Sequence, residues 1–155
     1  ALYESAVQTY QSRLDSVSGS RAIKYRNQIG VLQARFGHYR DATRTLEGLL
    51  SDEPEYAAAY VNLANIHMLS DDVSQALEVL ESGAEATGGS PVVHISMAQA
   101  LYQLGRKSEA TDAYEQAVAA SPRLAERFSY LGGDSTTARA GVEPDAPLLW
   151  DAGDE

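Results

Sequence analysis

The sequence predicts an all-α protein, a solenoid built from paired helices. Three observations predict it. Small and apolar residues recur every 34 positions between Ile23 and Leu124, most plainly at Ala42, Ala76 and Ala110. Within each period they fall at three-and-four spacing, as in Tyr60, Leu63, Ala64 and His67 or Ala76, Leu77 and Leu80, which is the pattern of amphipathic helices. Glycine and Ser-Pro pairs punctuate the segments, and no stretch alternates with a period of two. A fixed period of this length marks a stack of supersecondary units, each unable to bury its apolar face alone.

The elements follow in order. In residues 2–15, Ala6 and Tyr10 repeat the four-residue step of Ala42 and Leu46, so this segment reads as the second helix of an earlier repeat. Ala6 and Ala42 stand 36 apart, which gives the loop around Ser16 to Ser20 two extra residues. A half-repeat here implies an array cut from a longer one, or an end with its own cap. Three full blocks then occupy residues 23–56, 57–90 and 91–124 without a gap. Each opens with a bulky residue followed by a small one: Ile29-Gly30, Leu63-Ala64 and Met97-Ala98. Larger residues, Leu46, Leu80 and Tyr114, follow the shared alanine column, then Leu49, Gly83 and Ala117, and the blocks close on Pro54, Gly88 and Pro122. Gly37 and Gly105 suit the positive φ that ends a helix. Ser90 before Pro91, and Ser121 before Pro122, place a capping hydroxyl ahead of a proline preset for the first turn. Phe128, Leu131 and Gly132 begin one more first helix, read as a C-terminal capping helix over about 123–132. An acidic tail with proline and glycine occupies 133–155, outside a repeat domain spanning 1–132.

This column pattern resembles the tetratricopeptide repeat over residues 23–124. The resemblance implies antiparallel helix pairs stacked as a right-handed α-solenoid, with small residues allowing close helix approach. Arg26 and His94 stand where the family carries an aromatic residue, and Gly83 where it carries alanine. It also implies that the first helix of each repeat lines a concave, peptide-binding face. Carried onto this chain, that face takes Lys24, Asn27, Val31 and Arg35 from the first repeat, Val61, Asn62, Asn65 and Met68 from the second, and Val92, Ile95, Gln99 and Tyr102 from the third. Ordinary interhelical packing is an equal reading for Val31, Val61 and Ile95. Members that hold a C-terminal carboxylate do so with lysines, an arginine and asparagines; the corresponding places here are Asn27, Val31, Asn62, Val92 and Ser96, of which only Asn62 fits. A carboxylate without cationic donors is costly to bury, so that use is disfavoured. Gln28, Asn62 and Ser96 instead form an incomplete relative of the asparagine ladder by which some members grip a peptide backbone. Side-chain amides both donate and accept, so they hold backbone without reading sequence.

Composition sets the limits. The 155 residues leave room for one domain, and 44% hydrophobic with 22% charged is ordinary for a soluble globular protein. No apolar run approaches the roughly 20 residues of a membrane span. The chain has no cysteine, which removes disulfides and thiolate chemistry and leaves cytoplasm and periplasm both open. Net charge is -10, unevenly spread: residues 1–44 hold seven basic and three acidic side chains, while 45–105 hold nine acids and no Lys or Arg. The acid-rich middle argues against duplex nucleic acid, which demands a basic stripe. His67 and His94 are expected near opposite ends of neighbouring helices, so no shared metal is expected. Asp71 and Asp72 read as turn residues, and the paired glycines 88–89 and 132–133 lack the surroundings of a phosphate loop. No catalytic residues, metal or cofactor are therefore assigned, and the chain is read as a non-enzyme.

What the sequence supports is a protein-protein interaction module that binds an extended or helical peptide with apolar anchors and acidic flanks, as an adaptor or scaffold part. The alternative is a self-association domain whose tail or half-repeat joins copies of the chain. The tail itself has the chemistry of such a ligand: Pro144, Pro147, Leu148, Leu149 and the sole tryptophan, Trp150, lie among Asp145, Asp151, Asp154 and Glu155. Leu148, Leu149 and Trp150 are expected to dock on an apolar surface of this domain or of a second copy. A Trp150 free of the repeats would contradict that expectation.

Overall fold

The computed structural model describes residues 1–133 and 150–151. Helix α1 (Leu2–Asp15) precedes three helix pairs: α2 (Ser20–Arg35) with α3 (Tyr39–Asp52), α4 (Ala57–Leu69) with α5 (Val73–Ala86), and α6 (Pro91–Gln103) with α7 (Lys107–Ala120). A short α8 (Pro122–Glu126) and a 3-10 turn (Ser129–Gly132) follow, and among the described residues there is no strand. Each helix packs on the next, and α2, α4 and α6 also touch one another in sequence, so the first helices form a continuous inner layer. α1 packs on α2 without burying any residue completely.

The 34-residue columns correspond to physical contacts. At Gly30 an added Cβ would lie 2.8 Å from Leu46 Cγ, and at Gly132 2.8 Å from the Tyr114 ring. Small residues in this column let the facing helix approach within a side chain's thickness. Gly83 departs from the family alanine for a local reason: a Cβ there would meet Tyr60 Cγ at 2.7 Å. Tyr60 itself is held by a hydrogen bond from its hydroxyl to the Pro54 carbonyl at 2.9 Å. The turns are periodic as well. Gly37 (φ 81°), Asp71 (φ 59°) and Gly105 (φ 75°) occupy one left-handed column, 34 residues apart. Asp71 is the only described non-glycine residue with positive φ, a conformation that aspartate tolerates better than most.

Three apolar clusters run through the array. One joins Ala34, Ala42, Leu46, Leu49, Ala59, Leu63 and Ile66, a second Val61, Ala64, Met68, Ala76, Leu80, Val93 and Ala100, and a third Ile95, Ala98, Leu101, Ala110 and Ala117 with Ala125, Phe128 and Leu131. Two local expectations need correction. Ser90 and Ser121 do precede a proline at the first turn, but neither side chain caps its helix. At the α5–α6 turn the Thr87 hydroxyl accepts the N–H of Ser90 at 3.2 Å, which ties the turn and leaves the first-turn N–H groups of α6 without a side-chain cap; among the described residues the side-chain N-cap that does form is Asp72, which accepts the Gln75 N–H at 3.2 Å. The C-terminal cap is not one helix: α8 stops after five residues and the chain tightens into a 3-10 turn. That change of pitch brings Ala125, Phe128 and Leu131 all into the third cluster, while the Tyr114 hydroxyl donates to the Ala125 carbonyl at 3.1 Å.

Candidate functional site

Asn27 on α2 and Asn62 on α4 lie one repeat plus one residue apart, on adjoining helices of the inner layer. Both side chains are fully buried. A buried side-chain amide must find partners for two donors and an acceptor. Asn62 Nδ2 donates to Asn27 Oδ1 at 2.8 Å, which locks the two amides into one unit. Both amides also bind the main chain of Asp151. Asn62 Nδ2 and Asn27 Nδ2 each donate to the Asp151 carbonyl at 2.9 Å, and the Asp151 N–H donates to Asn62 Oδ1 at 2.9 Å. One residue's N–H and C=O are thus both taken by one side chain, as a neighbouring strand would take them. The contact reads backbone and is indifferent to the side chain it holds.

Trp150, the preceding residue, is half-buried and packs against the first cluster, with Ala34, Leu46, Ala59 and Leu63 among its members. A cavity of about 270 Å³ adjoins it, lined by Tyr10, Gln28, Val31, Leu32 and Arg35 with Trp150 and Asp151. On the other side Asp151 borders a second cavity of about 240 Å³, with Glu55, Tyr56, Ala57, Ala58, Ser90 and Val92. Arg35 places a cation on the first cavity and Glu55 an anion on the second, so the groove is polarised along its length.

The structure therefore brings Asn27, Val31, Arg35, Asn62 and Val92 around one main-chain segment. Val61, Ile95 and Met68 are elsewhere. Val61 and Ile95 are completely enclosed and Met68 is 6% exposed, all three inside core clusters, so for them the packing reading replaces the groove reading. The physical reason is that an inner helix with neighbours on both sides has little surface left to expose. Asn65 is buried one turn after Asn62, and Lys24 is half-buried on α2. Gln99 and Tyr102 turn to the C-terminal cap: Gln99 Nε2 donates to the Tyr130 hydroxyl at 3.3 Å, and the Tyr102 and Tyr130 rings meet edge to face at 6.1 Å. The ladder partner of Asn62 is Asn27 rather than Gln28, which lines the cavity instead. Ser96, in the Asn62 column, is buried with its hydroxyl unpartnered, so the amide pair is confined to the first two repeats. Leu148 and Leu149 lie outside the described residues. Tyr10 went unassigned in the sequence because its column marked a packing position; it also meets Tyr25 edge-on at 6.2 Å.

His94 is buried beside Gly89, and burial lowers its pKa below the ordinary histidine value. His38 stacks on Tyr3 with ring centres 3.9 Å apart. Among the described residues no three His, Cys, Asp or Glu side chains converge as a metal site, and no helix is long and apolar enough to cross a membrane.

Comparison with known proteins agrees with this architecture. A family model described as tetratricopeptide repeat matches residues 34–94, and a second with the same description matches 93–124. No curated protein matches the chain. Among solved structures, PcrH from Pseudomonas aeruginosa is similar at 20% identity, over 75% of this chain and 92% of that one, with a TM-score of 0.64. The Yersinia enterocolitica type III secretion chaperone SycD, solved with a peptide of the translocator YopD, shares 18% identity over 74% of this chain and 92% of its own, with a TM-score of 0.62. MamA shares 17% identity over 87% and 83%, with a TM-score of 0.60. At these identities the likeness is one of fold. With both family matches lying on helix pairs stacked at a 34-residue period, the chain belongs to the tetratricopeptide repeat superfamily.

Proposed function

We propose that the protein is a protein-protein interaction module that holds an extended polypeptide along its inner helices, gripping the main chain through Asn27 and Asn62. The observation that carries this reading is the pair of buried amides, joined to each other and both hydrogen-bonded to the backbone of Asp151. Such a pair has no use for a particular side chain, so affinity comes from the backbone and selectivity from the flanking cavities. The YopD peptide on SycD supports the reading by showing that a protein of this fold holds a peptide. The basic first repeat and Arg35 favour acidic residues on the ligand.

Selection of displayed random peptides on the intact protein tests it. Selected peptides should lose about tenfold or more in affinity, the worth of one or two neutral hydrogen bonds, when Asn62→Ala is introduced. Peptides that bind the wild-type and Asn62→Ala proteins equally would show that the groove does not act this way.

A further inference from the structure

The backbone that fills the amide pair belongs to this same chain. It lies 89 residues beyond Asn62 and 124 beyond Asn27, in a tail with no repeat of its own. Three features distinguish this from incidental contact. The hydrogen bonds saturate Asn62, whose two donors and acceptor are all used, and both groups of Asp151 are satisfied. Trp150, the only tryptophan, packs on the same inner surface one residue earlier, so a backbone grip and an aromatic anchor act on adjacent positions. The charges are complementary: residues 133–155 carry six acids against Arg139 alone, and the first 44 residues carry seven basic side chains against three acids.

We infer that Trp150 and Asp151 form a resident ligand of the groove, and that the external partner is an extended polypeptide of the same chemistry. Such a partner carries a large aromatic side chain directly before the residue whose N–H and C=O the asparagines hold, with acidic flanks. This rests on the backbone-gripping reading above and adds the aromatic anchor and the self-occupied state to it. The partner competes with the tail, so the protein's apparent affinity falls by the fraction of molecules whose groove is already filled.

The probe is a fluorescein-labelled synthetic peptide of residues 144–155, titrated by anisotropy against the full-length protein. The Trp150→Ala protein, whose resident segment has lost its anchor, is expected to bind the probe about tenfold or more tightly than the wild type. That gain should vanish when the probe's own tryptophan is replaced by alanine, or when Asn62→Ala is added to the Trp150→Ala protein. A second readout leaves the tail sequence intact: Trp150 emission in the wild type should lie to the blue, independent of protein concentration, and move to the red in Asn62→Ala. Equal probe binding by wild type and Trp150→Ala, or emission at the free-tryptophan wavelength in the wild type, overturns the resident ligand. A blue shift that disappears on dilution also overturns it, since the segment would then come from a second copy. If library-selected peptides still require Asn62 in those cases, the backbone-gripping reading stands alone. If they ignore Asn62, that reading falls as well.

Discussion

At the scale of single residues, this chain places polar groups inside and supplies partners where the placement serves the groove. Asn62 uses both donors and its acceptor on Asn27 and Asp151, and Asn27 binds both of them. His94 is not: its Nδ1 is buried without a partner, and burial holds its pKa below the ordinary value of 6.5. The folded protein therefore keeps the imidazole neutral where the unfolded chain already binds a proton. Stability contributed by this effect is complete above pH 6.5 and is lost as the pH falls from there through the depressed folded value. The thermal midpoint is expected to drop between pH 7 and pH 5 more steeply in the wild type than in His94→Phe, which restores the aromatic residue of the family column. Identical slopes for the two proteins would assign the acid sensitivity to other groups.

Among elements, helix pairing depends on matched large and small residues. Tyr60 at the start of α4 occupies the space that Gly83 leaves on α5. Gly83→Ala would drive a Cβ against the root of the ring, which cannot swing aside as a flexible tip could, and should cost about 1–3 kcal/mol. Removing the ring as well relieves the clash, so Tyr60→Ala with Gly83→Ala should be less damaging than the sum of the single changes, by roughly 0.5–3 kcal/mol. Denaturant melts of the four proteins measure this. Such pairings explain how much of the fold was legible: each column of the 34-residue period is one recurring contact, and the helices, turns and left-handed Gly37 and Gly105 follow from it. Cap details were less legible, because Ser90-Pro91 satisfies the sequence rule while the Ser90 side chain makes no cap hydrogen bond. The groove was partly legible for a related reason. Periodicity identifies the inner helices, but an inner helix flanked on both sides buries Val61 and Ile95 as readily as it presents Asn62. Position along the sequence does not separate those roles.

For the whole molecule, stability should be graded along the array, because each repeat contacts only its neighbours. α1 buries no residue fully, whereas α4 lies between α2 and α6 and buries nine of its thirteen residues. Amide exchange is expected to show α1 opening at low free energy and α4 opening only with the global transition; uniform protection across the chain would contradict this gradient. The tail contact joins a C-terminal segment to the first two repeats. No local pattern could place it, since it joins Asp151 to residues 89 and 124 positions earlier, and only the aromatic and acidic composition around Trp150 hinted at a binding segment. The account rests on the amide pair holding a main chain, and the amide exchange of Asp151 in the intact protein tests that most directly. Its N–H, bonded to Asn62 Oδ1, should exchange about tenfold or more slowly than in an unstructured peptide, with the protection lost in Asn62→Ala. Exchange of Asp151 at the unstructured rate in the wild type would contradict the account.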